Sequence, residues 1–163
     1  MLVSLKEVLD MAGQGGFAIP AFNVYNMETV VGVIEAAEEA KAPVILQVYP
    51  RLVKEGIAYY LAPIIMEAAK KASVPVCFHL DHGPSELEMT RALYWGATGI
   101  MLDGSALPYE ENVAATKHAV ETPPPAGCWP WDCGAAPGMR PWRASLAVCL
   151  RRLIWLWRAG WPG

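Results

Sequence analysis

The chain has 163 residues, a formal net charge of −3, and four cysteines, Cys77, Cys128, Cys133 and Cys149, with no C-x-x-C pair among them. Its length suits one domain with a real core, and without a dominant basic patch the charge argues against a nucleic-acid partner. The cysteine spacing excludes a zinc finger, and MLVSLKEVLDMAGQGG has no apolar signal region, so a reducing, cytoplasmic setting is expected.

Ser4 and Glu7 have the spacing of a capping box, and Leu5, Val8, Leu9 and Ala12 share one face, which predicts a first helix over 4–12, stopped by GQGG. FAIPAFNVY (17–25) reads as a strand. Asn26 suits the cap of a helix over about 27–41, with Val30, Val33, Ile34 and Ala37 as its apolar stripe and Glu35, Glu38, Glu39 and Lys41 facing water. PVILQVY (43–49) is a second strand, a helix follows over about 56–72, and VPVCFHL (74–80) is a third strand. The next helix starts near Pro84-Ser85, where Ser85 and Glu88 repeat the capping-box spacing. TGIMLDGS (98–105) is a fourth strand, and Pro108, Glu110 and Glu111 open a helix that runs to about 120.

The order is helix, then βα four times. The strands are continuous apolar runs, which a parallel sheet covered by helices requires. Two architectures fit: a doubly wound open sheet, or the first half of a (βα)8 TIM barrel. No G-x-G-x-x-G follows the first strand and no Walker loop occurs, which argues against a dinucleotide fold. In both architectures chemistry sits where strands end. Those ends are Asn23-Val24-Tyr25, Gln47-Val48-Tyr49, Asp81-His82-Gly83 and Asp103-Gly104-Ser105.

His79-Leu80-Asp81-His82-Gly83 holds two of the three histidines of the chain. Neutral imidazole is a common zinc ligand, and an adjacent carboxylate can move a proton on a substrate held at the metal. Along a strand, His79 and Asp81 share a face and His82 points away. The strand ends here, however, and Gly83 permits an unusual turn that would swing His82 over the rim beside Asp81. His79 is expected below the rim as a buried core residue, and His118 on a helix surface.

VPVCFHLDHG resembles the H-x-D-H-[small] signature of the class II, metal-dependent fructose- and tagatose-bisphosphate aldolases. PAFNVYN (20–26), PVILQVYP (43–50) and GIMLDGSALPYEEN (99–112) resemble the other N-terminal stretches of that family, in the same order. The resemblance covers about residues 1–121 and implies the barrel rather than the open sheet, with this chain carrying its first four βα units. It implies one catalytic Zn2+, with His82 as one of three histidine ligands and Asp81 as the general acid/base at the aldehyde oxygen. It further implies Asp103 as a carboxylate that approaches the metal or a second cation, and Asn23 as a residue near the substrate. The reaction implied is reversible cleavage of fructose- or tagatose-1,6-bisphosphate into dihydroxyacetone phosphate and glyceraldehyde 3-phosphate. It needs no Schiff-base lysine, and no lysine here stands at a strand end. The partner implied is a small sugar phosphate, and for intact family members a homo-oligomer.

The composition breaks at Glu121. Residues 1–121 carry 8 Lys+Arg and 15 Asp+Glu, whereas 122–163 carry 5 arginines, no lysine and one acid, Asp132. Six of seven tryptophans and three of four cysteines lie in 122–163, and no histidine does. SLAVCLRRLIWLWRAGW (145–161) has Arg151 and Arg152 at its centre and falls short of the ~18 apolar residues of a membrane span. An interfacial amphipathic helix and a tryptophan-rich binding module are readings of this tail. The one that fits its Pro, Gly, Ala, Arg, Trp and Cys bias best is an out-of-frame translation of a GC-rich gene, with residues 122–163 disordered. Under that reading another frame past codon ~121 restores a family-like second half, and the zinc ligand set is incomplete in this polypeptide. A working aldolase, an inactive half-barrel, and a non-catalytic half-barrel that binds a sugar phosphate or dimerises are the three functional readings that follow.

Overall fold

Capping sets where the helices begin. In the computed structural model, which describes residues 1–121, Ser4 accepts from the Glu7 N–H at 3.3 Å and its own N–H donates to Glu7 Oε2 at 2.6 Å, a full capping box at the start of α1 (Leu5–Gly15). The helix runs past Ala12. Only Gly16, at φ 68, takes the left-handed turn that ends it, so Gly13, Gln14 and Gly15 stay helical. Asn26 caps α2 (Met27–Ala40) as expected, with Thr29 as the reciprocal partner. Ser85 caps α5 (Glu86–Tyr94) through the Leu87 N–H at 3.3 Å. Glu88 meets the Ser85 hydroxyl rather than the Ser85 N–H, so the second box forms only in part.

Other elements also differ in extent from the sequence expectation. β1 is only Ala21–Asn23: Pro20 before it accepts from the Ile45 N–H but has no N–H of its own to continue the ladder. A short helix, α3 (Pro50–Lys54), precedes α4 (Ile57–Lys71). Pro50 at its first turn starts it, and Gly56 at φ 78 separates the two. β3 (Val76–Gly83) is longer than expected and carries the whole HLDHG run. β4 (Gly99–Leu102) is half the expected 98–105 and ends before Asp103, whereas β2 (Val44–Val48) and α6 (Tyr109–Glu121) lie where the pattern puts them.

The four strands pair in parallel in the order β1-β2-β3-β4. This order decides between the two architectures. Parallel crossovers are right-handed, so strands added always on the same side put every crossover helix on the same face. A doubly wound sheet reverses direction and covers both. Here Val30 and Ile34 of α2, Leu61 and Ile65 of α4 and Met89 and Ala92 of α5 all pack on one face, against Val44, Leu46, Val48, Val76, Phe78, Leu80 and Ile100. The chain therefore carries four consecutive βα units of a barrel.

The other face of the sheet is the barrel interior. Its lower part is closed by α1 and the residues just before it: Val3, Leu5 and Val8 pack on Ile45 and Cys77. Thr98 ties this floor to the sheet. Its buried hydroxyl donates to the Val3 carbonyl at 2.8 Å and accepts from the Phe78 N–H at 3.1 Å. Gly99 leaves the space that α1 fills, since a Cβ there would stand 2.7 Å from Leu5 Cβ. The upper part of this face, beyond α1, holds the polar residues.

Candidate active site at the strand ends

Register brings the polar residues together. Asn23 of β1 pairs with Gln47 of β2, Gln47 with His79 of β3, and His79 with Gly99 of β4, so one row crosses the sheet on the interior face. Asp81 stands two residues above His79 on that face. Asn23 Nδ2 donates to Asp81 Oδ2 at 3.3 Å and Gln47 Nε2 donates to Asp81 Oδ1 at 3.3 Å. Gln47 Nε2 also lies 3.1 Å from His79 Nδ1. Two amides from two strands thus grip both oxygens of a carboxylate whose side chain is 17% exposed.

His82 reaches the same rim through a backbone irregularity. Leu80 pairs with Ile100 and Gly83 with Leu102, so β3 has one residue more than β4 across that step. The extra residue makes a β-bulge, and His82 takes the left-handed conformation there, at φ 50. The left-handed residue is His82 itself, not the glycine after it. Gly83 serves a different need: a Cβ at 83 would stand 2.8 Å from the Met101 carbonyl oxygen and 2.9 Å from Leu80 Cδ2. The bulge turns the His82 ring toward the rim, with Nε2 3.9 Å from Asp81 Oδ1.

Asp103, in the loop after β4, fixes the other edge of that ring. His82 Nδ1 donates to Asp103 Oδ2 at 2.8 Å, and Asp103 Oδ1 accepts from the Ser105 N–H at 3.0 Å. Hydrogen bonds from Ser105, then from His82, hold the Asp103 carboxyl down at about 2. The bond to Asp103 raises the His82 pKa above the ordinary histidine value, against a smaller opposing effect of burial. Burial does the reverse at His79, which is pushed down to about 4 and is neutral at physiological pH. His79 lies in the interior, 5% exposed, as expected. His118, on α6, faces Glu86 at 3.6 Å and takes no part in the site. Gln47 joins the four residues singled out from the sequence; its place at the end of an apolar strand was the signal for it.

The donor chemistry suits one metal ligand. A histidine that gives its Nδ1–H to a carboxylate presents a bare Nε2, the arrangement in which carboxylates support metal-bound histidine. A catalytic zinc takes three protein ligands. Among the described residues no group of three His, Cys, Asp or Glu side chains could hold an ion. These residues therefore fit one corner of a metal site and not the whole of it.

Residues 3–129 match the family model of the class II fructose-bisphosphate aldolases. The chain belongs to that family. It is 42% identical over 121 residues to the fructose-bisphosphate aldolase of Thermus caldophilus, covering 74% of this chain and 39% of that protein. It is 38% identical over 120 residues to the D-tagatose-1,6-bisphosphate aldolase subunit GatY of Klebsiella oxytoca, covering 74% and 42%. Among solved structures it resembles the YdjI aldolase of Escherichia coli K12, with a TM-score of 0.70, 39% identity, and coverage of 74% of this chain and 47% of that one. The chain thus spans about two fifths of the length of the curated relatives it matches. The matched family consists of lyases, and the four βα units described here are the N-terminal part of its barrel. The expectation of a disordered, out-of-frame tail concerns residues 122–163, which lie outside the described residues. Among the described residues no helix is long and apolar enough to cross a membrane.

Proposed function

We propose that Asp81 and His82 form the acid–base and metal-binding corner of a zinc-dependent aldol site for a ketose bisphosphate. The observation that carries this reading is the bulge at His82. It sets a ring nitrogen, free of hydrogen bonds to Asp103, beside a carboxylate gripped by two amides. Asp81 takes the proton from the hydroxyl at the bond to be cleaved, and returns it to the aldehyde oxygen in the direction of synthesis. Its two amide partners fix the direction from which it reaches that oxygen. His82 Nε2 is the ligand atom, and Asp103 holds the ring in the tautomer that exposes it. Each Asp103 oxygen accepts one hydrogen bond, and each keeps a lone pair through which it could approach a second cation. Asn23, which donates to Asp81 Oδ2, would stand near the substrate. His82 Nε2 would be one ligand of a zinc ion, whose contribution would be Lewis-acid polarisation of a substrate carbonyl. The substrate class is supported by relatives that are named as fructose- and tagatose-bisphosphate aldolases.

A second reading concerns the 163-residue polypeptide itself. The other two histidines of the chain, His79 and His118, face Gln47 and Glu86, so neither completes a ligand set around His82. For this polypeptide we expect less than one zinc per chain after dialysis and no measurable cleavage of fructose or tagatose bisphosphate in a coupled assay. One zinc per chain with EDTA-sensitive cleavage would overturn that expectation, and would support the complete enzyme instead.

A further inference from the structure

We infer that Gln47 and His79 form a positioning pair that holds Asp81 in the orientation its proton-transfer role needs, an inference that rests on that role. A carboxylate oxygen only accepts hydrogen bonds. The Gln47 amide must therefore turn its nitrogen, not its oxygen, toward Asp81 Oδ1, 3.3 Å away. The same nitrogen lies 3.1 Å from His79 Nδ1, so its second N–H points at the ring and Nδ1 accepts it. A neutral imidazole that accepts at Nδ1 carries its proton on Nε2. The tautomer of a buried histidine is thus linked through one amide to the orientation of a carboxylate on the same strand.

The surroundings of His79 leave few alternatives. It is 5% exposed, between Gln47 and Gly99 in the row. A Cβ at Gly99 would stand 2.9 Å from His79 Cδ2, so the missing side chain makes room for this edge of the ring. His79 Nε2 is buried without a hydrogen-bond partner among the described residues. Moving the proton to Nδ1 would set a donor against the Gln47 N–H. The amide would then turn, its oxygen would face Asp81 Oδ1, and the carboxylate would keep only the bond from Asn23. The pair does not touch the proton in flight. It acts through Asp81.

The test uses the 163-residue chain with 15N-labelled histidine and 13C,15N-labelled aspartate. In the wild-type chain His79 is expected to show an unprotonated Nδ1 and a protonated Nε2, and the Asp81 couplings across χ1 to report a single rotamer. In Gln47→Leu the Asp81 couplings collapse toward rotamer-averaged values while the amide fingerprint of the sheet persists. In Gln47→Glu, of the same shape but without the N–H donors, the His79 proton moves to Nδ1 and the Asp81 couplings average as well. A purely structural role for Gln47 would change stability and leave the Asp81 rotamer alone. A wild-type His79 protonated at Nδ1 overturns the inference whether or not either variant folds, as does an unchanged Asp81 rotamer in a folded variant. None of these readouts needs metal or turnover. Zinc-dependent cleavage by a chain whose His79 is protonated at Nδ1 would sink the positioning pair and leave the proposed function standing. Zinc that binds the chain without perturbing His82, with the expected His79 tautomer, would do the opposite.

Discussion

His82 Nδ1 and Asp103 Oδ2 lie 2.8 Å apart across the gap between the end of β3 and the loop after β4. The bond joins the residue that breaks the ladder to the carboxylate that follows the next strand. It depends on the bulge, since a regular strand would send the side chain at 82 to the opposite face from Asp81. It also decides which ring nitrogen remains available.

Replacing Asp103 by Asn should therefore be felt at the ring. The raised His82 pKa comes first from the bond to Asp103. Any stability from this pair is present below the ordinary histidine value and is lost as pH rises through the raised one. In Asp103→Asn the His82 titration followed by NMR should shift to lower pH, and metal affinity at His82 should fall about 10–100-fold. An unmoved titration would show that the bond is not made in solution.

The left-handed backbone at His82, φ 50, is strained for any residue with a Cβ. Both His82→Ala and His82→Gly lose the bond to Asp103, so their difference isolates the backbone. His82→Gly should be more stable than His82→Ala by about 1 kcal/mol in urea unfolding. Equal stabilities would place the irregularity elsewhere.

Thr98 ties the floor of the sheet to the chain start through bonds to Val3 and Phe78. Thr98→Val keeps the shape and removes the hydroxyl, leaving a buried carbonyl and N–H to be satisfied otherwise. We expect a loss of about 1–3 kcal/mol, read as a lower urea midpoint with the slope unchanged.

His79 makes stability depend on pH in the acid range. Its folded pKa is about 4, against an ordinary value of 6.5, and burial is the first cause. Between these values the unfolded chain binds a proton that the folded chain refuses, so stability falls as pH falls from about 6.5 to about 4. The full effect is about 3 kcal/mol. His82, with its raised pKa, acts in the opposite sense, so the comparison must be with His79→Gln, whose stability should fall less over that range. Parallel pH profiles for the two chains would contradict the burial of His79.

Much of this was legible in the residues. Apolar runs, the Ser4–Glu7 box and the Asn26 cap placed the elements, because caps and periodicity act within a few residues. The four polar strand ends pointed to the candidate site, and the HLDHG run pointed to Asp81 and His82 as neighbours on one rim, where they lie. What escaped was set by pairing between strands. The bulge is a mismatch between β3 and β4, which no local pattern in β3 contains, so the left-handed residue was sought at Gly83 and is His82. Gln47 as the bridge between His79 and Asp81 needs the register of β2 against β3. The short α3 depends on Pro50 and Gly56 acting together, and the sequence reading placed a helix only from about 56.

The central claim is that His82 Nε2 is a metal ligand supported by Asp103. The most direct measurement is a zinc titration of the chain followed by 15N NMR of its histidines. We predict that zinc shifts His82 Nε2 while Nδ1 stays protonated, that His79 does not respond, and that His82→Ala abolishes the shift. Zinc that leaves His82 untouched, or binds equally well in His82→Ala, would contradict the account.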